Sequence, residues 1–210
     1  MNENNIFNNL KFVLSAVETD FLTEDTGSEI AFCGRSNCGK SSVLNAIANN
    51  KSLARTSKTP GRTQSINIFD FDGDNQKRII DLPGYGFAKV SKKDREYWGI
   101  LIEDYLNSRR SLKALILIMD IRHPLKDSDM NLISWCEKTG TKVKILLNKA
   151  DKISKNKYLL TEKDTLERLK VFNIEIDVMT FSAKSFLGLK PLRKDLIAML
   201  TLEDPSNEWG

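Results

Sequence analysis

Residues 34–41, "GRSNCGKS", lie between a short apolar run, "EIAFCG", and a segment, "SSVLNAIAN", in which Val43, Leu44 and Ile47 recur at helical spacing. The eight residues match G-x-x-x-x-G-K-[ST] in full, in the strand–loop–helix setting that gives the pattern its meaning. Gly34 and Gly39 let the backbone curl so that successive amides form a concave anion nest at a helix N-terminus. Lys40 brings a positive charge to β- and γ-phosphates, and Ser41 offers a hydroxyl to Mg²⁺. A chain with this feature is constrained to an α/β layout with a nucleoside-triphosphate site beyond the end of its first core strand.

The rest of the chain agrees with that layout. Apolar runs such as "LKALILIMDI" and "KVKILLNKAD" read as strands buried on both faces, and helical segments alternate with them. The pattern predicts a sheet of roughly six strands, mostly parallel, with helices on both faces. The hairpin-like stretch 65–83 supplies one antiparallel strand. In "DREYWGILIEDYLNSR" the expected apolar face is Tyr97, Ile100, Leu101 and Tyr105. Residues 1–27 read as an N-terminal extension packed on a domain spanning 28–203, with 204–210 as a tail. There is no internal repeat.

Composition narrows the setting. The chain has 210 residues, 40% hydrophobic and 29% charged, enough for a sizeable core. No apolar stretch approaches the roughly 18 residues of a membrane helix. The N-terminus lacks the basic start of a signal peptide, and three cysteines without metal-type spacing read as reduced thiols. These features indicate a cytoplasmic protein. The net charge of +4 is mildly basic, and "KVSKKDR" (89–95) and "NSRRSLK" (107–113) are either solvated surface or patches for RNA.

Two further motifs sit just after expected strands. "RIIDLPGYGFAKV" (78–90) places Asp81 where an outer carboxylate of a magnesium site belongs, and Gly84 where an amide meets a γ-phosphate. The glycine is followed by Tyr85, Gly86 and Phe87, none of which orients a water through a side-chain amide. Between Lys40 and Asp81, Thr56, Thr59 and Thr63 compete on spacing as the residue that closes over γ-phosphate and metal. "LLNKAD" supplies Asn148, Lys149 and Asp151. A carboxylate at Asp151 accepts from the N1–H and 2-amino group of guanine, donors that adenine lacks at those edges. Asn148 bridges base and phosphate loop, the Lys149 stem covers the ring, and the Ser182 and Ala183 amides of "FSAKS" point to guanine O6. The nucleotide is read as GTP.

In this order the motifs resemble translation-factor-related GTPases, within the TrmE-Era-EngA-EngB-septin-like superfamily. "EIAFCGRSNCGKSSVLNAI", "LARTSKTPGRTQSINIF", "DLPGYGFAKV" and "LILIMDIRHPLKDSD" narrow the resemblance to the EngB/YihA/YsxC family of bacterial ribosome-biogenesis GTPases, over about residues 8–200. The resemblance implies a compact Ras-like fold, GTP/GDP and Mg²⁺ binding, and slow hydrolysis. It also implies a role in assembly of the large ribosomal subunit (its rRNA and proteins as partners) and in cell division and septation. A monomer is expected, without a DNA partner or a membrane span. The family's "GRTQ" loop points to Thr63 as the Mg²⁺ ligand beside Ser41, with Asp81 acting through water. Its nucleotide contacts fall on Gly34, Arg35, Ser36, Asn37, Cys38, Gly39, Lys40 and Ser41, then on Gly61, Arg62, Thr63, Gln64 and Ser65. They continue at Asp81, Leu82, Pro83 and Gly84, at Asn148, Lys149, Ala150 and Asp151, and at Phe181, Ser182 and Ala183. Lys40, Thr63, Gly84 and Asn37 are the expected catalytic set, Asn37 because GTPases with Asn at that place can resemble potassium-activated enzymes.

His123, in "DIRHPLKD", reads as a structural or partner-contact residue rather than a base. Cys33 and Cys136 read as core thiols, Cys38 as sensitive to alkylation, and Trp98 and Trp135 as core packing.

Overall fold

The computed structural model describes residues 3–54, 65–72, 74–86 and 92–201. In chain order it contains β1 (Leu10–Ala16), β2 (Ser28–Gly34), α1 (Lys40–Ile47), β3 (Ile66–Phe71) and β4 (Asp74–Asp81). There follow α2 (Lys92–Ser108), β5 (Leu112–Asp120), α3 (Asp127–Thr139), β6 (Val143–Asn148), α4 (Lys155–Leu169), β7 (Ile176–Thr180) and α5 (Leu189–Thr201). The strands form one sheet in the order β1-β3-β4-β2-β5-β6-β7. β4, β2, β5, β6 and β7 run parallel, β3 is antiparallel to β4, and β1 is antiparallel to β3.

The α/β architecture is the expected one, but the described residues hold seven strands rather than six. The added strand is β1, in the segment expected to be an extension packed on the domain. Only its ends, Leu10 and Ala16, are buried, so it lacks the strict alternation by which a half-buried strand is recognised.

Side chains of the central strands alternate between two cores, as a period of two requires. Ala31 and Cys33 of β2, with Leu115 and Leu117 of β5, face α2 and α3 through Leu101, Tyr105, Ile133 and Cys136. Ile30 and Phe32, with Ile116 and Ile118, face α1 and α5 through Val43, Leu44, Leu192 and Leu196. Each of the large side chains among these contributes about 1.5–3 kcal/mol on full burial. The α2 face is shifted from expectation. Trp98, Leu101, Ile102, Tyr105 and Leu106 are buried, while Tyr97 is 39% and Ile100 66% exposed. A strict four-residue spacing through 97, 101 and 105 drifts off a helix of 3.6 residues per turn, and the true stripe begins one residue later.

At the start of β2 the fully buried Glu29 accepts from Arg78 Nε at 2.8 Å, Tyr105 Oη at 2.7 Å and Arg109 Nε at 3.2 Å. Two guanidinium groups and a hydroxyl compensate its desolvation, and they tie β4 and the end of α2 to the middle of the sheet. Among the described residues no helix is long and apolar enough to cross a membrane.

Candidate functional site

β2 ends at Gly34, and the chain curls through residues 35–39 before α1 begins at Lys40. A Cβ on Gly34 would come within 2.5 Å of the Ile118 carbonyl, so only glycine lets the loop start this close to β5. Gly39 has φ +99°, and a side chain there would run into the Asn148 amide. Asn37 also adopts a left-handed conformation, φ 63°, which asparagine tolerates better than most residues. The first amides of α1 have no intrahelical acceptors and so face the cradle. Lys40 is buried there, with Nζ paired to Asp81 Oδ1. Ser41 lies half-buried in the first turn of the same helix. Cys38 is 3% exposed, and burial pushes its thiol up to about 11, opposed by the Lys40 amide and charge. That environment corrects the expectation of a reactive thiol.

Asp81 closes β4, nearly buried, with Asn67 Nδ2 at 3.4 Å from its second oxygen. The pairing of β2 with β4 then continues beyond both strands. The Leu82 amide donates to Phe32 O at 2.9 Å, Tyr85 N to Gly34 O at 3.3 Å, and Ser36 N to Tyr85 O at 2.8 Å. Pro83 and Gly84 lie buried inside this seam. The Tyr85 hydroxyl donates to Asp129 Oδ1 at 2.8 Å, which commits its ring to α3. Asp129, 1% exposed, also accepts the Lys126 amide at 2.9 Å and so caps α3. Burial raises the Asp129 carboxyl above its usual range, partly offset by the Tyr85 and Lys126 hydrogen bonds. Burial and the Asp129 charge hold the Tyr85 phenol well above its ordinary value, so it stays a donor at neutral pH. Thr56, Thr59, Gly61, Arg62, Thr63, Gln64 and Phe87 lie outside the described residues. Ser65 is described, its hydroxyl 2.6 Å from that of Ser15.

The base-side residues come from the ends of β6 and β7. Asn148 donates to the Cys38 carbonyl at 2.9 Å and accepts the Ala183 amide at 3.2 Å. Lys149, left-handed at φ 67°, donates to the Asn37 carbonyl and pairs with Asp120 at 3.0 Å. Partial burial raises the Asp120 carboxyl, but hydrogen bonds from Arg122 and Lys149 outweigh it and hold the group below the usual range. Asp151 Oδ1 accepts the Ser182 hydroxyl at 2.7 Å, and that hydroxyl oxygen accepts the Ser185 amide at 3.1 Å. Ala150 N donates to Phe181 O at 3.1 Å, and Phe181 itself is fully buried. The Ser182 amide donates to Leu187 O at 3.1 Å, so it is already paired, while the hydroxyl reaches Asp151.

The described residues thus bring the phosphate loop, Asp81–Gly84, Asn148–Asp151 and Phe181–Ala183 to the carboxyl ends of neighbouring strands. Three participants lie outside the sequence expectation: Asp120, Asn67 and Asp129. Asp120 carries a usable signal, a carboxylate at the end of a parallel strand. Asp129 carries another, an acid in the first turn of a helix. His123 lies exposed in the turn after β5, its amide donating to Asp120 O at 2.9 Å.

Residues 29–149 match the family described as "50S ribosome-binding GTPase". The "Probable GTP-binding protein EngB" of Escherichia coli O139:H28 (strain E24377A / ETEC) is 46% identical over 198 residues, 94% of this chain and 93% of that protein. A crystal structure of a probable GTP-binding protein engB superposes with a TM-score of 0.66 at 20% identity, over 82% of this chain and 98% of that one. A single-residue variant of Aquifex aeolicus Era bound to GDP.AlF4- superposes with a TM-score of 0.67 at 20% identity, over 85% of this chain and 58% of that one. At such identities the two superpositions establish the fold alone.

Proposed function

The chain belongs to the EngB family of GTP-binding proteins, and from that premise we propose that it is a slow, magnesium-dependent GTPase switch acting in assembly of the large ribosomal subunit. The observation that carries the nucleotide half of this reading is the join between Asn148 and the Cys38 carbonyl. It holds the end of β6, with the candidate base-reading residues, directly against the phosphate loop. Asp151 is oriented by Ser182 to accept from guanine, and Lys149 lies across the loop at Asn37.

Lys40 exchanges its Asp81 partner for β- and γ-phosphate oxygens, which leaves the carboxylate beside the cradle. The donors there, the Ser41 hydroxyl and the Asp81 carboxylate, are hard oxygens of the kind Mg²⁺ takes. Thr63 would complete the set, Asp81 acting through water. When bound, the ion neutralises charge on the phosphates. Gly84 offers its amide to the γ-phosphate, while Tyr85, turned toward Asp129, orients no water. Slow intrinsic turnover is the reading this supports, with acceleration by a partner or by K⁺ held near Asn37. On this reading the protein acts in the cytoplasm as a monomer, and its loss disturbs cell division through ribosome supply.

The test is GTP hydrolysis by the full chain with and without purified large-subunit particles, in K⁺ and in Na⁺. Stimulation by particles of about tenfold or more, about 1.4 kcal/mol of barrier, is the expected result. A flat, negligible rate in all four conditions leaves instead a passive GTP-dependent binding module, a reading favoured by the inward-turned Tyr85. Equal rates in K⁺ and Na⁺ remove the potassium role of Asn37.

A further inference from the structure

The parallel strands carry the nucleotide-site residues at their carboxyl ends, so their amino ends form the opposite pole. Along β5 the two poles are about 26 Å apart at ~3.3 Å per residue. There the ends of α2 and α3 meet the starts of β5 and β6 around a cavity of about 490 Å³. Among the described residues its lining holds five basic ones, Arg109, Arg110, Lys113, Lys138 and Lys142, and neither an acidic nor an aromatic one.

Not all of that charge faces outward. Arg109 is committed to Glu29 and to the Thr23 carbonyl at 2.9 Å. Lys142 pairs with Glu175 at 2.8 Å, with both side chains more than half exposed, so the pair is weak and readily exchanged. Arg110 and Lys138 are exposed. A lysine near the end of α3 is also what a helix C-terminus favours, but this accounts for Lys138 and not for the rest. Asn107, Thr139 and Thr141 add neutral hydrogen-bonding groups to the same walls.

We propose that this groove binds the phosphodiester backbone of RNA. A concave wall lined by cations, with the acids Glu29, Asp25 and Glu175 set behind or beside it as partners of Arg109 and Lys142, suits a polyphosphate, and the neutral side chains suit phosphate and ribose oxygens. The absence of aromatic residues from the lining removes stacking platforms, so contact is with the backbone and tolerant of sequence. The same absence disfavours a protein partner, whose energetic anchors are aromatic. The choice of RNA rests on the ribosomal reading above. Because the groove lies at the far pole, RNA and GTP occupy the protein together.

The experiment compares the full-length protein with R110A/K138A/K142A, using a fluorescent single-stranded RNA of about 20 nucleotides and, separately, poly-L-glutamate, across a salt series. Loss of three phosphate contacts, about 0.7 each for single strands, lowers the slope of log K against log salt by about 2 and weakens binding at low salt about tenfold or more. R110K/K138R/K142R retains binding, and GDP affinity with an unchanged melting temperature shows that the alanine variant is folded. Equal RNA affinity and slope in wild type and alanine variant overturn the proposal. So does poly-L-glutamate binding as tightly as RNA, which assigns the groove to an acidic protein. If the groove-dependent RNA binding stands while wild type ignores large-subunit particles, the groove is upheld and the ribosomal reading fails.

Discussion

On the base side of the site, Asn148 uses both ends of its amide inside the protein, Lys149 is held between Asn37 and Asp120, and Asp151 is oriented by Ser182. On the phosphate side, Lys40 and Asp81 pair with each other in a pocket where both are nearly buried. The first arrangement is complete without a base. On the function proposed above, the second is a placeholder, in which the lysine would exchange the carboxylate for a phosphate and the carboxylate would turn to a metal's water shell. On that reading, recognition is preassembled, which limits the entropy lost on binding, while switching is built from partners that can be exchanged.

The largest expected effect breaks the preassembled wall. Asp151→Asn replaces one of the two carboxylate oxygens that would accept from guanine with an N–H₂ that opposes a guanine donor, and lowers GTP affinity by roughly a thousandfold, about 4 kcal/mol, measured by calorimetric titration. Xanthosine triphosphate, with an oxygen in place of the 2-amino group, recovers much of the loss. A fall of less than about tenfold shows that Asp151 does not read the base edge.

An intermediate effect is expected at the seam behind the phosphate wall. Tyr85→Phe leaves the Asp129 carboxyl short of a donor in a buried site and lowers unfolding stability by about 1–3 kcal/mol, read from denaturant melts. The effects of Tyr85→Phe and Asp129→Asn fall short of additive in the double variant if the hydroxyl and carboxylate act as one unit.

The smallest effect sharpens the difference between the walls through pH. The Asp120 carboxyl is held below the ordinary value of 3.8 in the folded state. Its contribution to stability is therefore present above that pH and is lost as pH falls through the folded value. Asp120→Asn is slightly less stable than wild type at neutral pH, and thermal melts of the two converge on acidification and in high salt, because Arg122 and part of Asp120 face solvent. A gap that stays constant down to about pH 3, below the ordinary carboxylate range, rules out this role.

What is legible in the sequence follows from the distance over which each feature is determined. The phosphate cradle and the base-reading loop are short strings whose glycines and carboxylates answer local backbone and ligand demands. Residues 34–41 and 148–151 can therefore be read directly. Tyr85 and Asp129 are 44 positions apart, and their meeting depends on how α3 docks on the sheet. The Glu29 cluster gathers Arg78 from β4 and Tyr105 and Arg109 from the end of α2 and the residue after it, and no spacing rule links these to Glu29. The Ser182 amide departs from its expected role because its acceptor, Leu187 O, belongs to a turn formed by the following residues. β1 is hidden because its apolar residues, among them the exposed Phe12 and Val13, do not alternate with polar ones.

The hydrogen bond from Asn148 to Cys38 joins positions 110 apart, and it bears on how the protein is made. During synthesis the phosphate cradle emerges early, the base-reading loop much later, and Ser182 later still. An unfinished chain therefore has no complete nucleotide site. A finished one gains RT ln(1 + [L]/Kd) of stability from cellular guanine nucleotide, about 2.7 kcal/mol when the nucleotide stands at about 100 times its Kd. The ligand thus rewards completion of the polypeptide, because a chain truncated before the base-reading loop lacks that stabilisation.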